Sequence, residues 1–417
     1  MHERKQNLYI PNDRVSGLLF LFLAFTFIMM TLTKTAFSSA LTVIVAGGVM
    51  TKTQTGLMTS GFYLLYGPLQ IVGGILADRY NPRNLIAMGI IGSIIANFII
   101  FFNHNFYVML IAWSLNGAAQ MGIYPAIFKV ISAKISYGWR RKAIYYFSFA
   151  QIIGQLFAFT LSAFIKRWEY NFLFSAVASV ILLITLYIVF KCVTKYMVPE
   201  EEIEETPKET AKSSTPVFRL FMISGFFLIV LMYTLVSVVN QSVRLYTPAM
   251  MMESYTNLNP TISNLLNIFV LISGTTGTIV MRKILFAKEG RNEVATILFT
   301  ILVAVPFIVT IKFTGVLHYI IILIVLCFSS AILSTSSLLV SFINSAFAKF
   351  GKSATAAGIM NAAASLGIVL QSYGFGYVAD NFGWDAVTTL YVVLIFVSIA
   401  LALIVLPLWT NFKRKYL

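Results

Sequence analysis

Lys34 stands deep inside a long apolar stretch, and no carboxylate keeps it company there. All fifteen Asp and Glu residues fall outside the hydrophobic runs of the chain. A charge at bilayer depth costs at least ~3 kcal/mol, so a lysine in such a place marks a functional site by default. An ammonium offers three donors and no acceptor, and the chemistry it invites is the binding of an anion. The missing carboxylates also remove the commonest proton-relay groups. Thr31 and Ser38 lie three and four residues from Lys34, on one helical face.

Further polar residues sit in other apolar runs. Asn116 and Gln120 are four apart. Ser148, Gln151 and Gln155 share a face, as do Ser237, Gln241 and Arg244, and Asn361 lies near the end of the chain. Tyr63, Tyr66, Tyr124 and Tyr145 are aromatic candidates for the same cavity. Each polar residue has a competing use as an interhelical hydrogen bond, worth about 0.6 kcal/mol on average. The competing use of Lys34 is to snorkel to the outer surface. That of Arg244, 28 residues beyond Pro216, is a place in an outer vestibule.

The elements that position these residues follow from composition. The chain has 417 residues, 59% hydrophobic and 11% charged, too little charge to cover a soluble domain of that size. Apolar runs of about 20 residues recur between short polar breaks, each able to cross a hydrocarbon core of ~30 Å. Twelve are expected, near 15–45, 55–77, 84–102, 106–128, 143–165, 172–194, 217–246, 260–281, 294–311, 318–346, 354–378 and 386–409. Backbone groups in lipid must pair within their own segment, so the fold class is an all-α membrane protein of twelve transmembrane helices in two six-helix halves. The first run is too long for a signal-peptide core. Residues 1–195 form one half and 217–417 the other. The acidic, Pro/Ser/Thr-rich segment 196–216 is a linker between them and holds six of the fifteen acids. Two halves joined this way imply a parallel repeat with the substrate site at the repeat interface.

The net charge of +15 does not imply nucleic acid, because it is one-sided. With the N-terminus inside, 24 of the 30 Lys/Arg fall at the termini and inner loops, and four (Lys52, Lys166, Arg167, Lys312) in outer loops. The positive-inside rule then places both termini in the cytoplasm of a multi-pass plasma-membrane protein. Cys192 and Cys327 read as core residues, and His2, His104 and His318 fall in loops or at the N-terminus, so no metal, cofactor or catalytic constellation emerges. The expected partners are a small anionic substrate and the bilayer, with the chain a monomer.

After the second run the chain reads Gly74-Ile-Leu-Ala-Asp78-Arg79-Tyr80-Asn81-Pro82-Arg83. This resembles the G-x-x-x-D-R-x-G-R-R signature of the major facilitator superfamily. Gly74 would permit close helix approach, and Asp78, Arg79 and Arg83 would form an inner gate. The equivalent Gly277-Thr-Ile-Val-Met281-Arg282-Lys283 lacks the acid. Asn81-Pro82-Arg83, Asn116-Gly117-Ala-Ala-Gln120 with Tyr124-Pro125, Gly358 through Gly367, and Gly376-Tyr-Val-Ala-Asp380-Asn-Phe-Gly383-Trp384-Asp385 are similar to the organophosphate:phosphate antiporters. The resemblance implies alternating access and a phosphate-bearing substrate. Lys34 occupies that family's helix-one arginine position, Met232 or Val238 its helix-seven arginine position, and Gln151 its helix-five histidine position. The function expected is secondary transport of a small organic anion, by exchange or uniport. The alternative is a transporter-like membrane sensor, which the family also includes.

Overall fold

A computed structural model describes residues 8–10, 12–196, 198–199, 217–285, 292–350 and 353–416. They are almost entirely helical: α1 (Asp13–Lys34), α2 (Ala36–Ala46), α3 (Lys52–Arg79), α4 (Pro82–Phe102), α5 (Phe106–Gln120), α6 (Ile123–Lys134), α7 (Tyr137–Phe164), α8 (Glu169–Thr194), α9 (Val217–Ile223), α10 (Phe226–Ser254), α11 (Pro260–Leu285), α12 (Glu293–Ile311), α13 (Tyr319–Ala346) and α14 (Ser353–Tyr416). Two-residue strands Leu8–Tyr9 and Val198–Pro199 pair antiparallel.

Ten stretches among the described residues are long and apolar enough to cross a membrane. Two features bring these to the twelve passes expected. The stretch Ala362–Tyr416 is 55 residues, about 80 Å of helix, and holds two passes. They meet at Gly383, whose φ of 75° and ψ of 179° break the helix in a region favouring glycine. The other pass is α7, whose apolar part, Phe149–Phe164, is short because a basic first turn precedes it. Two passes are built from two helices each: α1 with α2, and α5 with α6.

The helix starts follow from sequence. Asn12, Asn81, Asn105 and Asn292 are extended N-caps whose side-chain oxygens accept from backbone N–H groups of the first turn. Pro82 opens α4, where a missing N–H costs nothing.

The chain divides into two compact units. One contains residues 1–40 and 61–208, the other 41–60 and 209–417. This differs from a division at the linker alone, most of which (197 and 200–216) lies outside the described residues. Residues 41–60 group with the second unit because their polar side chains bond there. Thr42 Oγ1 donates to Asn264 Oδ1 at 3.2 Å, and Ser60 Oγ donates to the Val369 carbonyl at 2.7 Å.

Within the first unit, glycines set the closest helix approaches. A Cβ on Gly117 would stand 2.3 Å from the Phe62 carbonyl oxygen, and one on Gly73 2.4 Å from that of Met121. Gly74, expected from the motif to be the contact glycine, meets nothing within 4 Å; its neighbour Gly73 has that role. Gly48, with φ of 66°, follows the end of α2. Cys192 is exposed on α8 rather than in the core, and Cys327 is half-buried.

Gly117→Val should therefore lower stability by about 1–3 kcal/mol through overpacking against the α3 backbone. Gly74→Ala should change it little. Thermal unfolding in detergent checks both, and equal melting temperatures for the two variants would contradict the packing.

Candidate functional site

The first unit buries Lys34 at the last turn of α1, where the helix is interrupted at Thr35 before α2 begins. The Thr35 N–H reaches back to the carbonyls of Thr31 and Leu32, at 3.1 and 3.2 Å, which closes the turn. Lys34 is 7% exposed, so it does not snorkel to a surface. Its Nζ lies 5.3 Å from the ring centroids of both Phe27 and Tyr66. Phe27 packs in turn on Tyr124 at 5.6 Å and Phe147 at 5.0 Å, and Tyr66 meets Tyr63 at 6.0 Å. Among the described residues no carboxylate stands within ion-pair distance of Lys34. Desolvated cation–π contacts reach about 2 kcal/mol, so two ring faces partly offset the burial of the ammonium and leave it attractive to an anion.

A polar network holds this stretch of α1. Gln120 Nε2 donates to Ser93 Oγ at 2.6 Å, Asn116 Oδ1 at 3.1 Å and Thr33 Oγ1 at 3.4 Å. Ser93 Oγ donates to Asn116 Oδ1 at 2.8 Å. Asn116 and Gln120 are thus buried between α4 and α5, where they tie the residue next to Lys34 to both helices. Thr31 faces α7, where a Cβ on Gly154 would stand 2.6 Å from Thr31 Cβ; its hydroxyl oxygen has no hydrogen-bond partner among the described residues. Ser38 is half-buried, Tyr124 and Gln151 are exposed, and Gln155 is half-buried. The side chains of Tyr145, Ser148, Asn361 and Asp78 lie outside the described residues.

The second unit holds a half-buried cation of its own. Arg244, on α10, donates from Nε to Ser330 Oγ at 3.2 Å and from Nη2 to Ser334 Oγ at 2.6 Å, both on α13. Gly274 on α11 makes room for it: a Cβ there would stand 2.1 Å from Nη2. Arg244, half-buried, thus stands among α10, α11 and α13. Asn240 adds a donor to Ser334 at 3.3 Å, and Asn267 Nδ2 donates to the Arg244 carbonyl at 3.0 Å. Among the described residues Arg244, like Lys34, has no carboxylate within ion-pair distance. Gln241, one turn before it, is half-buried.

Sequence reasoning missed a third cluster, also in the second unit. Lys52 Nζ lies 2.9 Å from Glu253 Oε2 and 3.5 Å from Asp380 Oδ1. Asp380 also caps the start of α3, accepting from Thr53 N at 2.6 Å and Thr53 Oγ1 at 2.5 Å. A carboxylate there is favoured by the unpaired N–H groups and the positive end of the helix. Trp384 Nε1 donates to Glu253 Oε2 at 2.9 Å, and Lys52 sits 5.4 Å from the Trp384 ring centroid. The signals were an isolated outer-loop lysine and the run from Gly376 to Asp385. Here a Cβ on Gly376 would stand 2.7 Å from the Lys52 carbonyl oxygen. Of the expected gate residues, Arg79 is exposed, and Arg83 lies 5.1 Å from the Tyr187 ring centroid.

A family model described as Major Facilitator Superfamily matches residues 18–372. The chain belongs to this superfamily. Its similarity to individual members is more local. The chain is 31% identical over 101 residues to the membrane sensor protein UhpC of Escherichia coli (strain K12), a match covering 24% of this chain and 23% of that protein. It is 27% identical over 112 residues to a probable hexose phosphate transport protein of Chlamydia trachomatis, covering 27% and 24%. The chain thus spans only about a quarter of the length of these relatives in each match. The fold match is broader. An inward-facing bacterial homologue of the human lysosomal transporter Spinster superposes with TM-score 0.70 at 15% identity, over 97% of this chain and 98% of that one.

A double-mutant cycle can isolate the Lys52–Glu253 pair. Lys52→Gln and Glu253→Gln should each cost about 1–2 kcal/mol, because each leaves a partly buried charge with weakened compensation. The double variant should cost less than their sum. Strict additivity in thermal melts would show that the two charges do not interact.

Proposed function

We propose that the chain is a secondary transporter of a small organic anion, a phosphorylated or carboxylated metabolite, working by alternating access as an exchanger or uniporter. The observation that carries this reading is Lys34, buried between the Phe27 and Tyr66 rings with no described carboxylate in reach. Substrate contacts beyond it are Thr31, Ser38, Tyr124, Gln151, Gln155, Gln241, Arg244 and Asn361. Asn116 and Gln120 act through the network that positions Lys34. Relatives named for hexose phosphate transport support an anionic substrate. A lysine in place of an arginine supplies a point charge without the bidentate fork, which suits a carboxylate as well as a phosphate. The excess of Lys/Arg at both ends and in alternate loops supports cytoplasmic termini in a plasma-membrane monomer.

A second reading has one observation in its favour, the similarity to a protein named as a membrane sensor. The two part on flux: a transporter moves its ligand across liposomes, whereas a sensor binds without moving it.

A thermal-shift screen of sugar phosphates, sugar acids and carboxylates on purified protein identifies the ligand class, since a ligand that binds only the folded state raises its melting temperature. Lys34→Gln should then abolish both the shift and exchange in proteoliposomes while the protein still folds, and Lys34→Arg should keep part of each. Wild-type exchange by Lys34→Gln would place the site elsewhere.

Coupling gives a separate expectation. Every Asp and Glu falls outside the apolar runs of the sequence, so none is expected at bilayer depth to relay a proton. Counterflow should persist with no pH gradient. A strict proton requirement removed by neutralising one carboxylate would refute this.

A further inference from the structure

Arg83 was expected at a gate, yet its surroundings are those of a different kind of site. A cavity of about 440 Å³ in the first unit is lined by Arg83, Tyr187, Lys191, Thr194 and Lys195. It lies where α4 begins and α8 ends. Its lining holds three cations, a phenol and a hydroxyl, and no carboxylate. The Arg83 guanidinium lies against the Tyr187 ring and uses Nε on Asn84 Oδ1 at 3.4 Å; its terminal N–H groups have no partner among the described residues. Lys191 and Lys195 are exposed and take part in none of the ion pairs among the described residues.

What stands beside the cavity says which anion it fits. Ile184, Ile188, Lys191 and Lys195 follow one another at spacings of four, three and four along a single stripe of α8. The first two are 58% and 57% exposed. Met88, Ile91 and Ile95 form the corresponding exposed stripe on α4, which packs along α8. In a membrane protein such stripes face acyl chains. Each runs from apolar to basic or polar as its helix end is reached, which is the polarity profile of a phospholipid. A soluble phosphate would need the cations and would gain nothing from the isoleucines.

We infer that this cavity is a headgroup site for an anionic phospholipid, with the phosphodiester held by Arg83, Lys191 and Lys195 and the acyl chains laid along the exposed α4 and α8 stripes. The site is separate from the Lys34 centre, and the inference stands whatever that centre carries. On the charge distribution of the chain it belongs to the cytoplasmic leaflet.

The test is lipid retention by the full chain, released from nanodiscs of equimolar phosphatidylglycerol and phosphatidylcholine and weighed by native mass spectrometry. The wild type should retain phosphatidylglycerol preferentially. The triple variant R83Q/K191Q/K195Q should lose one retained molecule, with the preference falling about tenfold or more. The charge-keeping double variant K191R/K195R should retain it, as should Arg219→Gln, which removes an exposed cation elsewhere. If the triple variant fails to fold, Lys191→Gln alone should show a smaller loss in the same direction. Equal retention by wild type and the neutralised variants overturns the inference. A separate arm adds millimolar inorganic phosphate to protein in phosphatidylcholine alone. Stabilisation there that the triple variant lacks, together with loss of retained phosphatidylglycerol when the same phosphate is added to the mixed nanodiscs, overturns the lipid assignment in favour of a soluble anion.

Discussion

An ionised group inside hydrocarbon must find its compensation within the protein, because no water is present to supply it. The functional architecture of this chain follows from how it meets that demand. Carboxylates would be the simplest partners for such cations, and among the described residues none stands within ion-pair distance of buried Lys34 or half-buried Arg244. Aromatic faces take their place at Lys34, and serine hydroxyls at Arg244. Both substitutes soften the burial of a positive charge without cancelling it. What remains is an unmet attraction for an anion, held in place by rigid helices.

Where the chain does pair its charges, they stand at helix ends. Lys52 with Glu253 and Asp380, and Lys413 with Glu293 at 3.0 Å, are examples. These pairs have other work. Asp380 both neutralises Lys52 and terminates α3, so one carboxylate serves an ion pair and a helix dipole together. The close backbone approaches at Gly56 and Gly376 bring these groups within reach. Polar and apolar packing thus depend on each other: the glycines let the carboxylate meet the helix end, where it adds to the cap that Thr51 and Gln54 already form.

Much of this was legible in the chain itself. Helix number and type follow from apolar run length, because a bilayer has a fixed thickness and allows few backbone solutions. The importance of Lys34 follows from its isolation, a purely local property. Partners were harder to read. Lys52, Glu253 and Asp380 are separated by hundreds of residues, and no periodicity links them. Tyr66 was one of four tyrosines expected near the cavity, whereas the Phe27 ring could not be told from the other aromatics that fill the chain. Gly73 and Gly74 are equivalent in sequence, and only the rotation of α3 decides which one touches α5. Arg244 lay in a recognisable stripe, but its burial depends on Gly274 of a neighbouring helix leaving a gap. The grouping of residues 41–60 with the second unit cuts through α3, which no composition shift announces.

The missing counter-ion at Lys34 also has an electrical side. A carboxylate beside the ammonium would make the empty site neutral and a site holding a monovalent anion negative. With ring quadrupoles as its described neighbours, the Lys34 ammonium leaves the empty site positive, and under the proposed function a monovalent anion would make the filled site neutral. Any motion of that charge through the transmembrane field involves work, up to about 2.3 kcal/mol per elementary charge per 100 mV. On that reading the voltage would act on the site when it is empty and not when it is filled, the reverse of what an acid beside the lysine would give.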